Sequence, residues 1–138
     1  MRRLLRHGVF LVLLGLLTGL LVPVVRNPRL GLSAHVGGVM NGMLLLLFGF
    51  LWRELHLPSR AEAAAFGLLL YAMYAIWGFT LLGAAFGTSQ ANPIAGAGYQ
   101  AAAWQEALVT GGLSSGAVAV LIACGVALYG LRSHGADR

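Results

Sequence analysis

The sequence predicts an all-α integral membrane protein in which four helices form a single bundle. Apolar residues make up 59% of the 138 residues, charged residues make up only 9%, and the mean hydropathy is +0.82. A soluble domain carries about 25% charged residues. In addition, the chain contains four apolar runs, each long enough to cross a bilayer, which takes about 20 helical residues. These observations exclude an ordinary soluble domain.

The predicted spans cover about residues 7–25, 34–55, 61–86 and 104–131. Pro23 lies near the end of the first span, and Pro28 and Pro58 lie in the breaks, where a missing backbone N–H does least harm. The connections are short and no internal repeat is evident. The economical organisation is one transmembrane domain over residues 1–138.

The distribution of arginine predicts the orientation of the chain. The sequence has nine arginines and no lysine. If both termini and the second connection lie on one side of the membrane, that side holds seven of the arginines, and the other side holds only Arg26 and Arg29. The positive-inside rule then places both termini in the cytoplasm, for a multi-pass protein of the inner (cytoplasmic) membrane surrounded by lipid. Because the arginines lie scattered at membrane edges, a pI of about 10.4 does not indicate a nucleic-acid partner.

Glycines spaced four residues apart occur in each span. In lipid, such pairs allow helices to pack closely, or allow a flat ligand to lie against a helix. Both interpretations are open for Gly38 and Gly42, where the second would make a slot for a planar cofactor. Cys124, the only cysteine, is expected to be a buried structural thiol. The glycine pairs are Gly15/Gly19, Gly38/Gly42, Gly83/Gly87 and Gly112/Gly116.

His35 and Asn41 are the most informative polar residues, because polar side chains at membrane depth are costly and are functional candidates by default. His35 is either an interfacial histidine or an axial ligand of haem iron. Asn41 follows six residues later, a step of about 9 Å that turns about 120° around a helix. If both serve one chemistry, the simplest site is shared by neighbouring subunits; otherwise Asn41 bonds another helix.

Further polar residues have two interpretations each. Glu106, at the head of the fourth span, is either an interfacial carboxylate or a group that orients His35 or moves a proton. Trp77 and Thr80 lie on the third span, where aromatic residues more often pack than react. No second His, Cys or carboxylate stands near His35 in helical spacing, which disfavours a multi-ligand zinc or di-iron site. The remaining histidines are expected to be solvated or interfacial: His7, His56 and His134.

The segment Leu32-Ser-Ala-His35-Val-Gly-Gly-Val-Met-Asn41-Gly-Met resembles hydroxylaminobenzene mutase and, more distantly, the membrane-bound styrene oxide isomerase. Residues 13–20 and 92–98 support the likeness. The resemblance implies a four-helix membrane enzyme, a homotrimer with haem b near its subunit interfaces, an iron ligand at His35 and a substrate-pocket residue at Asn41. The functional tyrosine on the third helix of the isomerase falls, by ungapped count, at Thr80.

The resemblance therefore implies an isomerase that rearranges hydroxylaminobenzene, a small aromatic substrate, to 2-aminophenol, with ferric haem b as a Lewis acid. Asn41, Thr80 and Glu106 are the expected catalytic positions, and Trp77 is expected to line the substrate pocket. Threonine in place of a phenol favours the mutase branch. The alternatives are an isomerase that converts aryl epoxides to aldehydes and a non-catalytic haem-binding membrane protein.

Overall fold

The computed structural model describes residues 2–132, and His134 lies outside them. Within this part of the chain there are four α-helices, α1 (Arg2–Leu21), α2 (Pro28–Leu51), α3 (Ser59–Phe86) and α4 (Ala103–Gly130), and a short 3-10 helix (Trp52–Glu54) that extends α2. All four α-helices are long and apolar enough to cross a membrane. The predicted all-helical, multi-pass architecture is confirmed.

The first two helices begin earlier than the sequence predicts. α1 begins at Arg2, and α2 begins at Pro28 rather than at residue 34. The Asn27 side chain caps α2 by accepting hydrogen bonds from the backbone N–H groups of Arg29 and Leu30. A proline is well suited to the first turn of a helix, since its missing N–H would have no partner there. Pro28 therefore opens the helix and does not lie in a break.

Small residues bring α1 and α2 together along their length. A β-carbon placed on Gly15 would lie 2.5 Å from the backbone nitrogen of Val39, and one placed on Gly42 would lie 2.6 Å from the backbone nitrogen of Val12. Real β-carbons do not approach backbone atoms this closely. The two helices are therefore in backbone contact, as glycine pairs permit in lipid.

The four helices do not close into a ring. α4 packs along α3 and makes no comparable contact with α1 or α2, while α1 touches α3 only lightly. The small residues of α4 face α3: Gly112 lies against the Phe79 ring, and Gly116 against Ile76. The outer faces of α1 and α4 carry exposed apolar side chains instead. The four helices therefore pack in chain order as an open arrangement, in which α2 and α3 form the centre and α1 and α4 the outside.

Two connections meet at one end of the molecule, which we call the loop end: residues 22–27 and 87–102. Asn27 is fully buried there. Its backbone N–H donates to the Ala84 carbonyl at 2.9 Å, and its side-chain amide donates to the Ala95 carbonyl at 2.9 Å. Arg26 donates to the carbonyls of Phe86 and Gln100. One asparagine therefore caps α2 and anchors the uncharged connection between α3 and α4.

We expect Asn27→Ala to lower the free energy of unfolding by about 2–4 kcal/mol, because it removes a helix cap and leaves the half-buried Ala95 carbonyl without its donor. The measurement is chemical or thermal unfolding of the detergent-purified protein. Asn92→Ala, in the same connection, is the matched control and should unfold like the parent protein. Equal unfolding of Asn27→Ala and the parent protein would contradict the anchoring role.

Candidate functional site

The His35 imidazole lies against α1. Its Nδ1 is 2.8 Å from the carbonyl oxygen of Gly15, and because a carbonyl only accepts, Nδ1 carries the proton. A carbonyl of α1 is available to an α2 side chain at this point because Gly15 and Gly38 bring the backbones into contact. The other ring nitrogen, Nε2, has no hydrogen-bond partner among residues 2–132, and it is not buried. His35 is half-buried.

Trp77 is held by the same stretch of α1. Its indole N–H donates to the hydroxyl of Thr18 at 3.1 Å, and that hydroxyl donates to the Leu14 carbonyl at 2.8 Å. Thr18 is only 2% exposed. The indole ring also covers Gly38, where a β-carbon would lie 2.6 Å from Cδ1. The structure therefore gathers His35 and Trp77 at one level of the molecule, where α1, α2 and α3 meet.

Asn41 faces a different neighbour from His35. Its side-chain amide donates to the Met73 carbonyl of α3 at 3.1 Å, whereas His35 bonds α1. This separation agrees with the angle expected from six helical steps. Within one chain the two side chains do not converge on one point, and part of the Asn41 amide is used as a link between helices.

Glu106 serves the loop end in this structure. Its carboxylate is buried and accepts hydrogen bonds from the backbone N–H groups of Ser89, at 2.9 Å, and Gln90, at 3.0 Å. A carboxylate with both oxygens engaged in this way stabilises the turn after α3. Thr80, half-buried on α3, donates to the Ile76 carbonyl one turn earlier at 2.7 Å. Within residues 2–132, neither side chain forms a hydrogen bond with His35 or Asn41.

The space beside Gly38 and Gly42 is filled by protein. Trp77 and Gly15 lie against Gly38, and Val12 and Gly8 lie against Gly42. Of the two interpretations that the sequence left open, helix packing accounts for this pair, because α1 and Trp77 occupy the face on which a planar cofactor would have to lie.

One further expectation is corrected, because Cys124 is exposed on the outer face of α4 and is not buried. His7, which the sequence predicts to be solvated or interfacial, is half-buried, and its Nδ1 lies 3.1 Å from the Tyr74 hydroxyl with the two rings edge to face. His56, in the second connection, is exposed, and its Nδ1 lies 3.0 Å from the Glu54 carbonyl oxygen.

The sequence alone did not single out Gly15, Thr18 and Gly19 as part of the site. From their spacing alone, Gly15 and Gly19 predict close packing between helices but not a contact with His35. A threonine hydroxyl in the middle of an apolar helix, next to one of those glycines, was a usable signal, since such hydroxyls seek partners on neighbouring helices. Which partners it finds depends on the register between helices, which the sequence does not give.

Known proteins that are similar to this chain identify its family. The family model for styrene oxide isomerase matches residues 1–132. Hydroxylaminobenzene mutase HabB from Ectopseudomonas oleovorans is 48% identical over 138 residues, which cover 99% of this chain and 84% of HabB. Hydroxylaminobenzene mutase HabA from the same organism is 44% identical over 104 residues, covering 75% of this chain and 77% of HabA. No solved structure matches the chain.

The chain therefore belongs to the styrene oxide isomerase family, a class of isomerases, as the His35 motif suggested, and its own four helices are long and apolar enough to cross a membrane. Within that class its relatives are mutases, and the protein is an isomerase of the hydroxylaminobenzene mutase type. Both families named from the sequence motif are confirmed.

We expect Glu106→Gln to lower the free energy of unfolding by about 1–3 kcal/mol, because an amide NH2 replaces one acceptor of the loop N–H groups. Turnover per folded molecule should stay near the parent value. Glu62→Gln is the matched control, since Glu62 is exposed and accepts from Trp52 where water competes. Loss of turnover in folded Glu106→Gln, with unchanged stability, would instead support a proton-transfer role.

Proposed function

We propose that this protein rearranges hydroxylaminobenzene, or a closely related aryl hydroxylamine, to the corresponding 2-aminophenol. The observation that carries the proposal is the 48% identity, over nearly the whole chain, to a hydroxylaminobenzene mutase. In such a rearrangement the N–O bond breaks, a C–O bond forms at the ortho carbon, and the proton lost from that carbon is returned to nitrogen. Atoms and electrons balance within the substrate, so no external oxidant is required.

The residues around His35 fit a haem group. A histidine that binds a metal usually donates its other ring N–H to a carbonyl or carboxylate, and His35 does so to Gly15, with Nε2 left for iron. Leu32, Val36 and Met40 are exposed apolar side chains spaced one helical turn apart on α2, and two of them flank His35. This stripe, rather than the filled glycine face, offers an apolar surface to a porphyrin.

A ferric haem b held by His35 would supply a Lewis acid that polarises the N–O bond. The chain's own residues would orient the ring and exclude water, which favours return of oxygen to the adjacent carbon. Asn41 has one amide N–H engaged with Met73 and retains a second N–H for the departing oxygen. The Trp77 indole, fixed by Thr18, would limit the space for the arene.

A homo-oligomer, of which a trimer is the form suggested by the resemblance, fits this site. Nε2 of His35 lies at the surface of the protomer, whereas Asn41 faces α3. A single chain therefore does not enclose a cofactor and a substrate between His35 and Asn41. A second copy against the exposed stripe of α2 would complete the enclosure. We place the oligomer in the inner membrane with both termini cytoplasmic, as the arginine distribution favours.

The second candidate is the isomerisation of an aryl epoxide to an aldehyde, which the match to the styrene oxide isomerase family favours. Against it, the position given by the ungapped count holds Thr80, whose hydroxyl already donates to the Ile76 carbonyl of its own helix. A threonine has neither the volume nor the acidity of a phenol.

Detergent-purified protein tests the two functions directly. We expect a Soret band, conversion of hydroxylaminobenzene to 2-aminophenol, and little conversion of styrene oxide to phenylacetaldehyde. Preferential turnover of the epoxide would support the second candidate. Mutase activity in a colourless preparation would overturn the haem assignment while leaving the substrate assignment intact.

We expect His35→Ala to abolish the Soret band and turnover together, because the iron loses its protein ligand. His56→Ala is the matched control, a histidine in the second connection, and should keep both. Stoichiometric haem in folded His35→Ala would contradict the ligand assignment.

Asn41→Ala should keep haem and lose turnover by a factor of about 10²–10³, the usual cost of one hydrogen-bond donor to a developing oxyanion. Absorption spectra and initial rates on the same samples give both quantities. Because Asn41 also links α2 to α3, the unfolding midpoint is measured in parallel. Unchanged rates would remove Asn41 from the chemistry.

A further inference from the structure

Gly15, Thr18 and Gly19 form a compact segment of α1 that touches both side chains of the candidate site. The Gly15 carbonyl accepts the His35 Nδ1 proton at 2.8 Å. The Thr18 hydroxyl accepts the Trp77 indole proton at 3.1 Å. These two bonds come from residues three apart on α1, which lie on one face of the helix.

Gly19 makes room for the imidazole. A β-carbon placed on Gly19 would lie 2.9 Å from Nδ1 and 3.1 Å from Cε1 of His35, inside the distance at which a neighbour must move. Nδ1 is also the atom that donates to the Gly15 carbonyl. An alanine at position 19 therefore pushes the ring away from the carbonyl that holds it.

The hydrogen bond to Gly15 also decides which nitrogen of the neutral ring is basic. Imidazole carries one ring proton when neutral, and a carbonyl oxygen binds it only on Nδ1 in this orientation. The lone pair available for a ligand is then on Nε2. Without the bond, both tautomers would be populated and the ring would be free to turn.

We propose that the Gly15–Gly19 segment of α1 is the positioning element of the site, and that Gly19 is a positioning residue. It holds His35 as the Nδ1-protonated tautomer with Nε2 free for iron. The functional meaning of this arrangement rests on the proposed haem site, whereas the tautomer is a property of the protein alone. Thr18 extends the same support to Trp77 on α3.

The first test is the tautomer in haem-free protein labelled with ring ¹⁵N-histidine, with His35→Gln used to assign the His35 signals. In the parent protein we expect Nδ1 to resonate as a protonated nitrogen and Nε2 as an unprotonated one. A His35 protonated on Nε2 would overturn the proposal. This measurement requires neither haem nor a stable variant.

The second test compares Gly19→Ala with Gly130→Ala. Gly130, at the end of α4, is an equally crowded glycine, since a β-carbon there would lie 2.8 Å from the Leu57 side chain, but it lies outside the contact between α1 and α2. In Gly19→Ala we expect mixed tautomer signals, about 10–100-fold weaker haem affinity, and a lower iron–imidazole stretching frequency in the ferrous protein. Gly130→Ala should keep the parent values.

Equal changes in both variants would reduce Gly19 to a packing residue and overturn its positioning role. If the parent protein takes up no haem, the proposed cofactor fails, while the ring ¹⁵N spectra of the parent protein and of Gly19→Ala still decide the positioning claim.

Discussion

The contact between α1 and α2 is the constraint on which the site depends. In lipid there is little hydrophobic gain from bringing two apolar helices together, so close packing and hydrogen bonds must supply the attraction. Gly15 and Gly42 place the two backbones against each other. Only at this separation does a carbonyl of α1 come within reach of His35 on α2. A larger residue at the contact would separate the helices and remove the support of the imidazole.

Polar groups at membrane depth find partners within the described chain in most cases. Asn41 bonds the Met73 carbonyl, Thr80 bonds its own helix, and the Tyr71 hydroxyl lies 2.6 Å from that of Ser115. Such pairing is required where water is absent. Nε2 of His35 has no hydrogen-bond partner among residues 2–132 but is not buried, whereas the Thr110 hydroxyl is buried without a partner in this part of the chain. An open basic nitrogen in an apolar setting is what a metal ligand requires.

The sequence predicted the helices well because hydropathy and length alone decide which segments can span a bilayer. It placed the start of α2 too late, because the cap is formed by the Asn27 side chain and its tertiary contacts at the loop end. It identified His35 and Asn41 as separate on α2, since helical geometry fixes that angle. It did not predict Thr18 or Gly19 as neighbours of the site, because contacts between helices depend on their register.

The same reasoning applies to Glu106, for which the sequence leaves both a chemical and a structural role open. A lone carboxylate near the head of a span is equally consistent with proton transfer and with anchoring, and only the fold shows two loop N–H groups directed at it. Asn27 donates to the Ala95 carbonyl, and Arg26 donates to the Phe86 carbonyl. The uncharged connection between α3 and α4 is therefore held by polar side chains that lie outside this connection. Asn27, at the start of α2, also donates its backbone N–H to the Ala84 carbonyl near the end of α3. The loop end therefore links α2 to α3, the two helices that carry His35 and Trp77.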